Sequence, residues 1–340
     1  MFFLMMSLIY KIWQKVSSMT LKLAKAKDLM SSLKKEQTWL VNKLLVENSI
    51  FMLYGKRERG KSSLLMQLAH SFLNGDPFIG FPVEAKGPVL YLNLDMSKWE
   101  FKEVYDRATD FGLKLGDLIV PKELTTFDIL SRRDREFLEG YCREAKPICL
   151  LVDTIGDGFY ERKGSKEEVR HVIRYFQTAA NPGCFGFTQH DRKQGGYVAF
   201  RTEGEPSEGE DEFSGFGSYE DTTATSIRIM KTKKEGFTIN FMKQRTAPLG
   251  FTKLRVIKND HGFFNPQIIN NPGLLLLFWP DNVPKAKRNG AIEACTSVRS
   301  ACKYLEGETG IAHETLRKVL TRGRERGVDY PLYKYVSKAD

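Results

Sequence analysis

The chain has 340 residues, 41% of them hydrophobic and 28% charged, with a formal net charge of +10. That length exceeds one average domain, and the composition is that of a globular protein rather than a disordered or fibrous one. Its five cysteines, at 142, 149, 184, 295 and 302, form no CxxC pair and no zinc-spaced cluster, which argues against a disulfide frame or a structural metal site and fits reduced packing residues of a cytoplasmic protein.

At the N-terminus, Phe2 to Trp13 is apolar but broken by Ser7 and Lys11. The run is too short to span a bilayer and lacks a basic leader, so no membrane partner is expected. Met19 opens a Lys-rich amphipathic stretch, and residues 1–18 are expected to be an upstream extension without a structural role. Residues 19–47 read as one or two helices. The alternation that follows predicts strand 50–54, helix 62–73, strand 88–94, helix 98–111, strand 148–152, helix 166–180 and strand 184–188, then strand segments near 226–231, 237–242 and 252–257. Continuous apolar strands separated by helices imply an α/β fold with a mostly parallel sheet covered on both faces. Ligands in such sheets bind at the carboxyl ends of the strands.

The strongest motif lies between the first strand and the first helix of that series. Gly55-Lys-Arg-Glu-Arg-Gly-Lys-Ser62 satisfies GxxxxGK[ST] at every fixed position. Its glycines let the backbone wrap an anion, and the helix behind it adds a positive N-terminal end. The expected nucleotide contacts are Gly55, Arg57, Gly60, Lys61, Ser62 and Ser63. Lys61 reaches the β- and γ-phosphates of ATP, and the Ser62 hydroxyl holds Mg²⁺.

Three further strand ends carry polar groups. Asp153 closes the apolar strand Ile148–Val152, where a carboxylate reaches the metal shell through water; a cap for the next turn is the structural alternative. Asp95 closes Val89–Leu94 and is placed either to orient the attacking water or to cap the helix beginning near Ser97. Gln189 and His190 follow Cys184–Thr188, and one of them is placed to sense γ-phosphate. In Phe237–Arg245, Phe237, Ile239 and Phe241 share one face, and continuing the two-residue period brings Lys243 and Arg245 out together. Two cations past a strand end suit a finger reaching a neighbouring subunit's nucleotide, or simply a solvated basic strand end.

The basic excess gathers at Lys285–Arg288 and Arg317–Arg326, which points to a polyanionic partner. The stretch between Lys193 and Tyr219 is Gly-rich and acidic and reads as a loop, while Pro266–Pro284 reads as a linker whose apolar patch, Leu274–Trp279, docks on the core. Thr296–Leu305 and Glu314–Arg324 have helical spacing, joined through Gly307–His313, and Tyr330–Val336 reads as a wing strand. Together they suggest a winged helix-turn-helix, the alternative being a basic helical hairpin that packs on the ATPase.

With these residues assembled, the chain resembles the RecA-like ATPases of the superfamily-4 replicative helicases, nearest to the RepA-type plasmid and phage helicases, with DnaB-type helicases as cousins. The matching stretches are Trp39–Val41, Phe51–Ser63, Asn74–Val83, Val89–Met96, Leu150–Asp153, Thr188–Lys193 and Met242–Arg245. The resemblance implies a RecA-like P-loop ATPase domain over 38–265, preceded by a helical extension at 1–37 and followed by a linker at 266–290 and a winged helix-turn-helix-like segment at 291–340. It implies that Lys61, Ser62 and Asp153 bind Mg-ATP and that Asp95 takes the place of the family's usual Glu, one methylene shorter. It further implies that Gln189 or His190 senses γ-phosphate, and that Lys243 and Arg245 act in trans across a ring, a hexamer being the expected size. Single-stranded DNA is the implied partner, with duplex DNA as a further candidate. Because the loop after His190 is acidic and repels phosphates, Arg162, Lys163 and Lys166 are the expected DNA-facing residues of the core. Arg317, Lys318, Arg322 and Arg324 are those of the C-terminal segment. An ATP-gated initiator, loader or regulator that does not translocate is the alternative function.

Overall fold

The computed structural model describes residues 25–27, 37–122, 127, 131–155, 166–181, 183–190, 222–232, 236–245, 248–249, 251–266, 271–279 and 297–333. The chain divides into two units, Met1–Thr38 and Trp39–Asp340. The expected helical extension at 1–37 lies almost wholly outside the described residues.

Five strands form the parallel part of an eight-stranded sheet: β3 (Ile50–Gly55), β4 (Val89–Asn93), β5 (Cys149–Asp153), β6 (Cys184–His190) and β7 (Thr225–Lys231). Their spatial order is β4, β5, β6, β3, β7, so β6 lies between the strand leading into Gly55–Ser62 and the strand ending in Asp153. Beyond β7 the sheet continues through β8 (Phe237–Gln244), β9 (Lys253–Lys258) and β10 (Phe264–Pro266), all antiparallel. This α/β architecture, with its mostly parallel central sheet, is that of a RecA-like P-loop ATPase core.

The strands read as unbroken apolar runs because both sheet faces are covered. Alternate residues still go to opposite sides: Phe51 and Leu53 join one hydrophobic cluster, whereas Ile50, Met52 and Tyr54 join the other. The first cluster packs against α1 (Lys61–Asn74), through Leu64, Leu65, Leu68 and Phe72. The second meets α3 (Arg132–Ala145) through Leu138 and Cys142, and α4 (Lys166–Ala180) through Val172, Ile173 and Phe176. Between α1 and α3 lies α2 (Lys98–Asp110), whose N-cap is Ser97 in a reciprocal capping box with Glu100.

Two expectations are corrected. Residues 39–46 form no helix but a small antiparallel pair, β1 (Trp39–Val41) and β2 (Leu45–Val46), turning through Lys43 at φ 60°. The aromatic and β-branched residues of these short runs suit strands, and Leu40, Val41, Leu44 and Leu45 are buried. Residues Tyr330–Tyr333 form a helical turn where a wing strand was expected, and 334–336 lie outside the described residues.

The apolar patch after the sheet docks as expected. Pro272–Leu277 is a short helix, α5, and every residue from Leu274 to Trp279 is buried. Helices α6 (Val298–Thr309) and α7 (His313–Glu325) form a hairpin that buries Ala301, Leu305, Leu316, Leu320 and Tyr330 in the same cluster as the sheet residues Phe241 and Leu254. Among the described residues no helix is long and apolar enough to cross a membrane.

Candidate nucleotide site

Gly55–Ser62 arches from the end of β3 into α1. A Cβ at Gly55 would stand 2.7 Å from the Ile229 carbonyl oxygen on β7, so only glycine lets the loop leave the sheet there. Gly60 is left-handed (φ 90°), and a Cβ on it would meet the Phe264 ring at 2.8 Å. Glu58 is left-handed as well, at φ 62°. Gly60 is the N-cap of α1, and no side chain caps that terminus, which leaves the first-turn N–H groups directed to whatever the loop encloses.

Lys61 is 5% exposed, and its ammonium donates to the carbonyl oxygens of Gly55 (3.0 Å) and Lys56 (3.1 Å), so it is held within the arch. It also lies 3.0 Å from His190 Nδ1. An ammonium only donates, so Nδ1 accepts and the proton of the neutral ring sits on Nε2. His190 Nε2 in turn faces Asp95 Oδ2 at 3.5 Å. The Lys61, His190 and Asp95 side chains therefore form one line across the ends of β3, β6 and β4. Since Ser97 caps α2, Asp95 is not its cap.

Asp153 is 2% exposed. Its Oδ2 accepts from the Tyr91 hydroxyl (2.7 Å) and its Oδ1 from Thr188 (2.5 Å), which satisfies a buried charge from the two flanking strands. Burial, then the Asp153 charge, pushes the Tyr91 phenol well above its ordinary pKa, so it stays a donor. The backbone N–H groups of Leu94 and Asp95 donate to the Asp153 carbonyl oxygen at 2.7 and 3.2 Å, which ties the two acidic strand ends together.

A hairpin covers the loop from the other side. Gln67 on α1 grips the Phe264 backbone twice, donating to its carbonyl (2.7 Å) and accepting from its N–H (2.9 Å). On β9, the Lys258 ammonium lies over the Phe237 ring at 5.6 Å. Its pKa is lowered, first by burial and then by Arg107 and Arg59, with Glu58 opposing. A cluster of cations thus borders the arch. Tyr91, Thr188, Lys258 and Phe264 were not singled out in the sequence. The signal for Tyr91 was present, because it shares the two-residue period of Asn93 and Asp95.

The remaining site residues are placed as follows. Arg57 is exposed at the top of the arch, and Ser62 and Ser63 are half-buried in the first turn of α1. Gln189 alternates with His190 and shares its face with Phe185 and Phe187, away from α1; its Oε1 is buried with no hydrogen-bond partner among the described residues. His190 is therefore the member of the pair brought to the loop. Lys243 pairs with Ser226 at the amino end of β7, whereas the loop abuts its carboxyl end, so Lys243 and Arg245 lie more than about 10 Å from their own arch. The two-residue period expected there is broken by a bulge at Met242, since Phe241 faces Ile227 but Lys243 faces Ser226. Arg162 and Lys163 lie outside the described residues, and Lys166 is placed only as the first residue of α4.

A family model described as an AAA domain matches residues 17–144, a span that takes in the arch, α1, β4 and α2 and ends before Asp153. No curated protein matches the chain. The chain is similar to AAA domains over that span, and the match and the loop geometry agree: this is a nucleotide-binding ATPase of the P-loop class.

Proposed function

We propose that the protein is a DNA-dependent ATPase that assembles as a ring, a hexamer, and serves as a replicative helicase of a plasmid, phage or other mobile element. One observation carries this reading: a complete phosphate arch with Asp153, Asp95 and His190 converging on it, in a chain whose paired cations, Lys243 and Arg245, lie at the far end of the same sheet. Cations so placed serve a nucleotide only if the nucleotide belongs to another protomer.

The site fits Mg-ATP. The uncapped terminus of α1 and the glycine-lined arch receive phosphate oxygens, and Lys61 neutralises the β- and γ-phosphates. Mg²⁺ would be held by Ser62 and Asp153 together with the phosphates, and supplies charge neutralisation there. Asp95, aligned by His190, orients the attacking water, and the link from His190 to Lys61 couples that pair to the phosphate site. Arg245 and Lys243 of the neighbour stabilise charge that develops on transfer.

Turnover of ATP is the test. Wild-type turnover is expected to rise severalfold with single-stranded DNA, and Lys61→Ala to abolish it in both conditions. Turnover unaffected by Lys61→Ala, or indifferent to DNA in the wild type, contradicts the proposal. A second reading, an ATP-gated initiator or loader, is favoured by the engagement of the short Asp95 with His190. Strand displacement on a forked duplex separates the two, because a loader hydrolyses slowly and separates nothing.

A further inference from the structure

The four cations assigned to DNA on the C-terminal hairpin do not act as one surface. Arg317 pairs with Glu314 at 3.1 Å, and the Arg324 guanidinium lies over the Tyr333 ring at 5.6 Å, so each has a partner on the hairpin's own surface. Arg322 lies on another flank of α7, one turn after Lys318, and lines a groove of about 320 Å³ between α7 and the segments Phe251–Lys253 and Asn271–Leu274. Arg326 lines the same groove from the end of α7, and Lys253 lines it from the opposite wall. Three cations from two separate segments face one cavity, and no carboxylate is among the lining residues.

The walls are fixed. Asn271 uses its side chain as a strand would, accepting from the Arg255 N–H and donating to the Arg255 carbonyl, both at 2.8 Å. A Cβ on Gly273 would meet the Phe251 ring at 2.7 Å, so the floor is packed to contact. Leu316, Leu320 and Gly323 bury the adjoining flank of α7, so the hairpin cannot swing away without exposing core. Three cations gathered around one groove, with no carboxylate among its lining residues to offset them, raise the local potential for an anion. Lys253 lies at the opposite end of β9 from Lys258, so this groove is distinct from the phosphate arch.

From this we infer that the groove binds the sugar-phosphate backbone of single-stranded DNA through Lys253, Arg322 and Arg326, an inference that rests on the DNA-dependent ATPase reading. Its volume, at the lower end for ligand sites, is about that of one nucleotide. The mode is contact with phosphates, without base readout, so affinity follows counterion release and is indifferent to sequence. The C-terminal hairpin is then one wall of a strand-tracking groove whose other wall is the ATPase sheet.

Anisotropy of a dye-labelled oligothymidylate titrated with full-length protein at several salt concentrations tests this. The triple variant Lys253→Gln/Arg322→Gln/Arg326→Gln is expected to bind at least about tenfold more weakly at 0.1 M salt, with its log–log salt slope reduced by about 2. The control Arg317→Gln/Arg324→Gln should keep the wild-type slope, and both variants should bind a fluorescent ATP analogue as the wild type does. A wild-type protein that binds DNA together with a triple variant of equal affinity and slope overturns the groove alone. Tighter, variant-sensitive binding of duplex than of single strand of equal length overturns the single-strand assignment. A wild type that binds no DNA at all removes the DNA-dependent ATPase reading with it.

Discussion

Asp153 is buried away from bulk solvent, and its folded position depends on two hydroxyls from the neighbouring strands. Removing one donor leaves a buried carboxylate oxygen short of a partner, a loss typically of about 1.5–3 kcal/mol for a bond to a charged group. Tyr91→Phe is therefore expected to lower stability by about that amount, read as a lower urea midpoint with an unchanged m value. Because the Tyr91 phenol has its pKa raised, the wild-type bond is intact throughout the neutral range, and the deficit should be the same at pH 6 and pH 8. A variant as stable as the wild type would mean that the hydroxyl does not support Asp153. His190 shows what position decides that residue type does not: it differs from Gln189 by one step along β6, and that step turns one side chain to Lys61 and the other to the opposite face.

Among the elements, the placement of β6 between β3 and β5 controls the distance from the phosphate arch to Asp153. Gly186 makes that neighbour relation close, since it pairs with Phe51 and a Cβ on it would fall 1.9 Å from the Phe51 ring. Gly186→Ala should cost about 1–3 kcal/mol by overpacking, measured by denaturant unfolding, and the companion change Phe51→Leu should recover part of it. Full stability of Gly186→Ala would contradict the register. Much of this layout was legible beforehand: the parallel strands and their helices were set by apolar runs of five to seven residues alternating with 3.6-residue spacing, and tertiary packing had no reason to override them. What was not legible follows from physical causes. Helix α3 buries only Leu138 and Cys142, so its apolar stripe is too thin to stand out among charges. The β1–β2 pair is only a few residues long, and β10 is three residues whose place depends on Gln67, far away in sequence. For the site, the arch and the acidic strand ends followed from local pattern, whereas the hydroxyls of Tyr91 and Thr188 reach Asp153, and Lys258 reaches Phe237, only through pairing between distant strands.

At the scale of the whole molecule, one compact unit from Trp39 holds the arch, the acidic ends, the antiparallel strands and the C-terminal hairpin. The paired cations lie on that unit at the far end of the sheet from its own nucleotide site, and the proposal assigns them to the site of a second copy. The most direct measurement is ATP turnover in mixtures of Lys61→Ala and Arg245→Ala chains with saturating single-stranded DNA. Each variant alone should be inactive, one for want of its phosphate-binding amine and the other for want of its neighbour's guanidinium. The mixture should regain turnover, because an Arg245→Ala chain beside a Lys61→Ala chain has one complete interface. Wild-type turnover by Arg245→Ala alone, or two inactive variants whose mixture stays inactive, would contradict a site shared between protomers.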